Sequence, residues 1–183
     1  MTLQEAKSLY LNSNPRERTL GRYYSSELYS IIGNWKKPED FFNPDPIKEE
    51  HLDIVLRGMM AEYQLAEILK PMGVKCGDNQ SKYELKINDE IVVVVKPDFE
   101  WPSVIWETKY PREMIYSVPR KYRYQLECQY RATNKKVKLG VFSEPFNLML
   151  INYESSDRVW EEIQRSLINY HKKVKELCQT IRT

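Results

Sequence analysis

Residues 91–95 are an isoleucine followed by four valines, and Lys96-Pro97-Asp98 comes directly after them. β-Branched side chains favour extended backbone, and proline cannot donate to a continuing ladder. The run therefore predicts a strand over 91–96 that ends just before Asp98. A second β-rich run, 83–87, precedes it across Asn88-Asp89. That pair is turn chemistry, so the two runs read as a hairpin. A third strand is expected over 104–109, after a bend at Trp101-Pro102.

Helical spacing of apolar residues surrounds these strands. It predicts a short helix over 2–12 and a second over 19–33, carried by Leu20, Tyr23, Tyr24, Leu28, Ile31 and Ile32 and closed by Gly33. A long third helix over 48–70 shows one stripe of Leu52, Val55, Leu56, Met59, Tyr63, Ala66 and Leu69, and Pro71 with Gly73 stops it. Pro38, Pro44 and Pro46 make 34–47 a loop, with Asp45-Pro46 at the start of the third helix. A fourth helix starts near Pro119 and runs to about Thr133. Strands over 137–142 and 148–153 then flank Glu144-Pro145. The last helix, 156–181, carries a stripe of Val159, Ile163, Leu167, Tyr170, Val174 and Leu177. This order argues for an α/β fold, a central mixed β-sheet flanked by α-helices. At 183 residues the chain is expected to form a single domain over 1–183.

Several function classes fall away on composition. Hydrophobic residues are 42% and charged residues 30% of the chain, which suits a folded rather than a disordered protein. The apolar run 91–95 is far short of the ~20 residues of a membrane helix, and no basic-then-apolar leader opens the sequence. No membrane partner is expected, and a cytoplasmic location is. Cys76, Cys128 and Cys178 are too few and too scattered for a disulfide framework or a CxxC metal site, and read as reduced thiols, mostly buried.

The net charge of +2 conceals an uneven distribution. Between Lys109 and Lys138 lie nine basic residues against Glu113 and Glu127, with Tyr110, Tyr116, Tyr122, Tyr124 and Tyr130 interleaved. Basic groups beside aromatic faces suit a phosphate backbone with stackable bases, although a solvated helix face over core tyrosines gives the same composition. On the first reading Arg112, Arg120, Lys121, Arg123, Tyr130 and Arg131 are candidate DNA contacts.

Chemistry is concentrated at Asp98 and at Glu107-Thr108-Lys109, nine residues further on. Side chains alternate along a strand, so Glu107 and Lys109 share a face about 6–7 Å apart. If the preceding segment pairs with this strand as a hairpin, the Asp98 carboxylate falls beside Glu107. Two neighbouring carboxylates repel unless a cation lies between them, and hard oxygen donors favour Mg²⁺ or Mn²⁺ over zinc. The Thr108 backbone carbonyl is a further candidate ligand, and Lys109 is placed to stabilise charge developing on a phosphate.

With Pro97-Asp98 as its second motif and Glu107-Thr108-Lys109 as its third, the sequence resembles the PD-(D/E)xK nuclease superfamily. More narrowly, it resembles the branch of RecB-type nuclease domains, CRISPR-associated RecB-like exonucleases and lambda-type phage exonucleases. The segment from Arg57-Gly58 to Glu62 matches that branch's first motif, which implies that Glu62 is a metal ligand. On the same helix face, Gly58 would let the backbone pack close to the sheet. Tyr124-Gln125 to Gln129-Tyr130 resembles the branch's glutamine-tyrosine motif, which implies a site role for Gln125. Tyr130 lies five residues on, a ~140° turn away, whereas Gln129 can share a face with Gln125. The segment 23–30 is similar to the serine-containing first helix of the RecB-like exonucleases. Many of those hold an iron–sulfur cluster on four cysteines, one near that helix and three near the C-terminus. The cysteine positions here imply none. The resemblance covers about 20–153.

Together these readings imply a restriction-endonuclease-like fold that hydrolyses DNA with Mg²⁺ or Mn²⁺. Glu62, Asp98, Glu107 and Thr108 would hold the metal, and Lys109 and Gln125 would assist. A RecB-like exonuclease is the expectation. A junction-resolvase-like endonuclease and a non-catalytic DNA-binding or assembly protein are the alternatives. A homo-oligomer and a recombination or repair partner stay open.

Overall fold

A computed structural model describes residues 2–11, 18–42, 49–111, 113–143 and 147–180. The Asp45-Pro46 helix start, Arg112 and Glu144-Pro145 lie outside the described residues.

Four of the expected helices are present: α1 (Leu3–Leu11), α3 (Glu49–Leu69), α4 (Arg120–Thr133) and α5 (Asp157–Thr180). The remaining segment, 19–33, is a correction. Only its end is helical, as α2 (Leu28–Ile32), and Arg22–Tyr24 form strand β1. The reason lies in the partner strand. Val93, Val94 and Val95 are buried, so the strand containing them needs ladder partners on both edges, and β1 fills one of them. Gly21 starts the change of course with φ +85, where a Cβ would stand 2.2 Å from the Glu90 carbonyl oxygen. Its own carbonyl accepts from Val92 N at 2.8 Å. Helical spacing in the sequence could not register that long-range demand.

The strands are β2 (Lys75–Cys76), β3 (Tyr83–Lys86), β4 (Val92–Val95), β5 (Phe99–Glu100), β6 (Val104–Lys109), β7 (Lys136–Ser143) and β8 (Asn147–Tyr153). The expected hairpin is β3–β4, antiparallel, with Asn88 Oδ1 accepting from Glu90 N and Ile91 N, both at 2.9 Å. β1 lies parallel to β4 on its other side. The larger sheet runs β2-β5-β6-β7-β8, with β6 and β7 parallel across the α4 crossover and its other neighbours antiparallel. Both sheets are mixed, and Lys96-Pro97-Asp98 joins β4 of one directly to β5 of the other.

α4 is the centre of the molecule. Residues 124–129 are all buried, and successive positions 100° apart serve different neighbours. Tyr124 and Cys128 join β4, α2 and α5 in one core with Val93, Ile163 and Leu167. Leu126 joins Ile105, Val137, Leu139 and Val141 of the larger sheet, with Tyr122 and Tyr130 against it. The face between, Gln125 and Gln129, is polar and turns to the junction of the sheets. On the opposite side of β6, Ala66 and Leu69 of α3 share a cluster with Phe99, Val74 and Cys76, against Trp106. Cys76 and Cys128 are buried, and Cys178 is half-buried.

Buried Glu127 fastens α4 to the segment leading into α5. It accepts from Arg131 Nε at 2.8 Å, Tyr153 OH at 2.6 Å, Ser155 Oγ at 3.2 Å and Ser156 N at 2.9 Å. None of the described helices is long and apolar enough to cross a membrane.

Candidate active site

Alternation along β6 turns Ile105, Glu107 and Lys109 toward α4 and turns Trp106 and Thr108 away. Glu107 is only 2% exposed. Its Oε1 accepts from Lys109 Nζ at 2.5 Å and Gln125 Nε2 at 2.6 Å, and its Oε2 from Gln129 Nε2 at 2.5 Å. Asp98 immediately precedes β5, and the pairing of Phe99 with Trp106 sets it across from Glu107. Thr108 grips Asp98 Oδ2 with its backbone N–H and its Oγ1, both at 2.7 Å. Behind Thr108, its ladder partner Gly140 leaves little room, since a Cβ there would be 3.2 Å from Thr108 Cγ2.

Glu62 reaches the same place from α3. One turn earlier, a Cβ on Gly58 would lie 3.4 Å from Tyr110 Cβ, so α3 passes close to the end of β6. Glu62, Asp98, Glu107, Lys109 and Gln125 line one mainly polar cavity of about 370 Å³. Tyr24, Ser25, Ser26, Gln80, Val94 and Lys96 complete its wall.

The electrostatics are those of crowded carboxylates. Burial, then the charges of Asp98 and Glu107, raise Glu62 to about 8. Burial, then Asp98, raise Glu107 to about 7, against the pull of Lys109 and Gln129. Burial works against charge on Lys109, but Glu107 and Asp98 outweigh it and hold its pKa above the ordinary lysine value.

This donor set fits a hard divalent cation: three carboxylates on one cavity, two of them made weak acids by burial and mutual repulsion, would all gain from a positive charge between them. As placed, no three His, Cys, Asp or Glu side chains among the described residues stand together as a ready cage. The hydrogen bonds explain why: both Glu107 oxygens face protein donors, and Asp98 Oδ2 faces Thr108.

The expected DNA contacts separate into groups. Lys121 is exposed and stands over the Tyr122 ring at 4.8 Å. Arg123 is exposed, with Nε on the Val118 carbonyl at 3.2 Å. Arg120 is tied to Tyr124 and Glu162, and Arg131 to Glu127 and Asp157. Tyr130 packs against the core of the larger sheet, away from the cavity. Sequence reasoning did not assign Lys96 to the site, although its spacing of two from both Val94 and Asp98 on an extended chain was the signal. It also placed Gln129 behind both Gln125 and Tyr130, where the geometry puts it on Glu107 directly.

With the geometry known, comparison adds a fold. No family model and no curated sequence matches the chain. Among solved structures, one match is an alkaline exonuclease from Laribacter hongkongensis, at TM-score 0.61 and 12% identity, covering 89% of this chain and 94% of that one. The fold is shared with an exonuclease. The same enzyme in complex with dAMP matches at TM-score 0.56 and 12% identity, over 89% of this chain and 94% of that one. The protein SSO0001 matches at TM-score 0.61 and 13% identity, over 92% of this chain and 82% of that one.

Proposed function

We propose that this protein is a divalent-metal-dependent deoxyribonuclease of the PD-(D/E)xK type, acting as an exonuclease of the RecB-like branch. The observation that carries the reading is the convergence of Glu62, Asp98, Glu107 and Lys109 on one cavity. The shared fold supports it, because the matched enzyme is an alkaline exonuclease and its complex contains a deoxynucleotide.

Glu62, Asp98 and Glu107, with the Thr108 carbonyl, would hold Mg²⁺ or Mn²⁺. The chemistry such an ion supplies when held there is Lewis acidity toward a phosphodiester and activation of water. The chain's own residues do the rest. Lys109 stays charged beside Glu107 and neutralises charge growing on the phosphate. Gln125, on the cavity wall, offers its amide to water or to the substrate strand. Lys121 and Arg123, exposed on α4, are the candidate backbone contacts whose binding weakens with salt.

The test is cleavage of linear and covalently closed circular DNA with Mn²⁺, with EDTA, and by Lys109→Ala. The expected result is EDTA-sensitive loss of linear DNA alone, with Lys109→Ala slower by at least about 10²-fold. Cleavage of circles would select the junction-resolvase-like alternative. Equal rates for wild type and Lys109→Ala would remove the assignment.

A further inference from the structure

We infer that Gln129 is a positioning residue that holds Oε2 of Glu107 from behind, so that Oε1 alone is presented to the cavity. The inference rests on the proposed metal-dependent reading of the site and gives its carboxylate a defined mode of coordination.

The donors on Glu107 are not equivalent. Those on Oε1, Lys109 and Gln125, both belong to the cavity wall. They can exchange with whatever enters. The donor on Oε2 is Gln129, which is fully buried and is not part of that wall.

Gln129 Oε1 is itself buried without a hydrogen-bond partner. A buried polar atom left unsatisfied is unfavourable, so the orientation of this amide is set by its other end. Turning it over would bring oxygen against a carboxylate oxygen. The arrangement makes sense as a fixed donor that pins one carboxylate oxygen and prevents Glu107 from turning both toward a cation. Helix geometry makes the two amides partners, since positions four apart share a face, whereas Tyr130, one residue on, faces the sheet core.

Mn²⁺ binding to the full chain, without DNA, followed by electron paramagnetic resonance of the free ion, tests this directly. Gln129→Met keeps the side-chain length and removes the donor. Outer-shell partners of metal ligands are worth about 10–100-fold in affinity, so Gln129→Met is expected to weaken Mn²⁺ binding at least about 10-fold, with Gln125→Met weakening it less. In a Glu107→Ala background, Gln129→Met should make no further difference, because the residue acts through Glu107. Unchanged affinity in folded Gln129→Met, or the same loss with and without Glu107, would overturn the inference.

A second measurement uses the wild type. In side-chain amide NMR during a Mg²⁺ titration, the Gln129 amide protons should stay hydrogen-bonded while those of Gln125 shift. The opposite response would also overturn it. If wild type binds no Mn²⁺, the metal reading itself fails and this inference with it. If wild type binds and the variants behave alike, only the inference fails.

Discussion

Replacing Glu62 with glutamine should stabilise the metal-free protein at pH 8. Glu62 is raised from 4.5 to about 8, first by burial and then by the charges of Asp98 and Glu107. The folded state therefore keeps a proton that the unfolded state has released throughout the interval from about 4.5 to about 8. Stability must fall as pH climbs through that window. At 1.36 kcal/mol per pH unit the full effect at pH 8 is about 4 kcal/mol, and water entering the cavity reduces it to roughly 2–4 kcal/mol. A glutamine escapes this cost. Urea denaturation in EDTA should show Glu62→Gln more stable than wild type by that amount at pH 8, narrowing to about half a kcal/mol near pH 4.5. Mn²⁺ at 100 times its Kd should narrow that difference, since it adds about 2.7 kcal/mol to the state that binds it. A variant no more stable than wild type in EDTA at pH 8 would refute the account of burial and repulsion at this site.

Three further outcomes follow from the surroundings of individual side chains. Glu127→Gln breaks the buried junction with Arg131, Tyr153 and Ser156. It should cost about 3–5 kcal/mol, or roughly 6–20 °C in Tm by scanning calorimetry. Lys121→Ala should lower the salt dependence of DNA binding by about one unit of slope with Tm unchanged. Arg131→Ala should lower Tm instead, because its guanidinium is committed to Glu127 and Asp157.

The sequence made the strand before Asp98, the strand carrying Glu107 and Lys109, and three long helices legible because each depends on local pattern: β-branched runs, alternation, a proline start at Pro119, and apolar stripes. The site followed from the same locality, since Glu107 and Lys109 are two apart on one strand and Asp98 ends a neighbouring segment. What escaped notice depends on distant partners. β1 is a strand because β4 has an edge to fill, which no window around Tyr23 contains. Arg120 and Arg131 looked like free cations beside Lys121, yet Glu162 and Asp157, far along the chain, neutralise them. Gln129 ranked below Gln125 because a fully buried amide and a cavity-lining one are the same letter in sequence. Only the packing of α4 against both sheets separates them.

Gly140 never approaches the cavity, yet the site is written partly in its missing side chain. It pairs with Thr108 across the ladder, and a methyl group there would press on the Thr108 methyl. With that space left to it, Thr108 grips a single oxygen of Asp98 two ways, through its hydroxyl and its amide. The aim of a carboxylate in the cleft thus depends on the far surface of the sheet, on an atom that is not there.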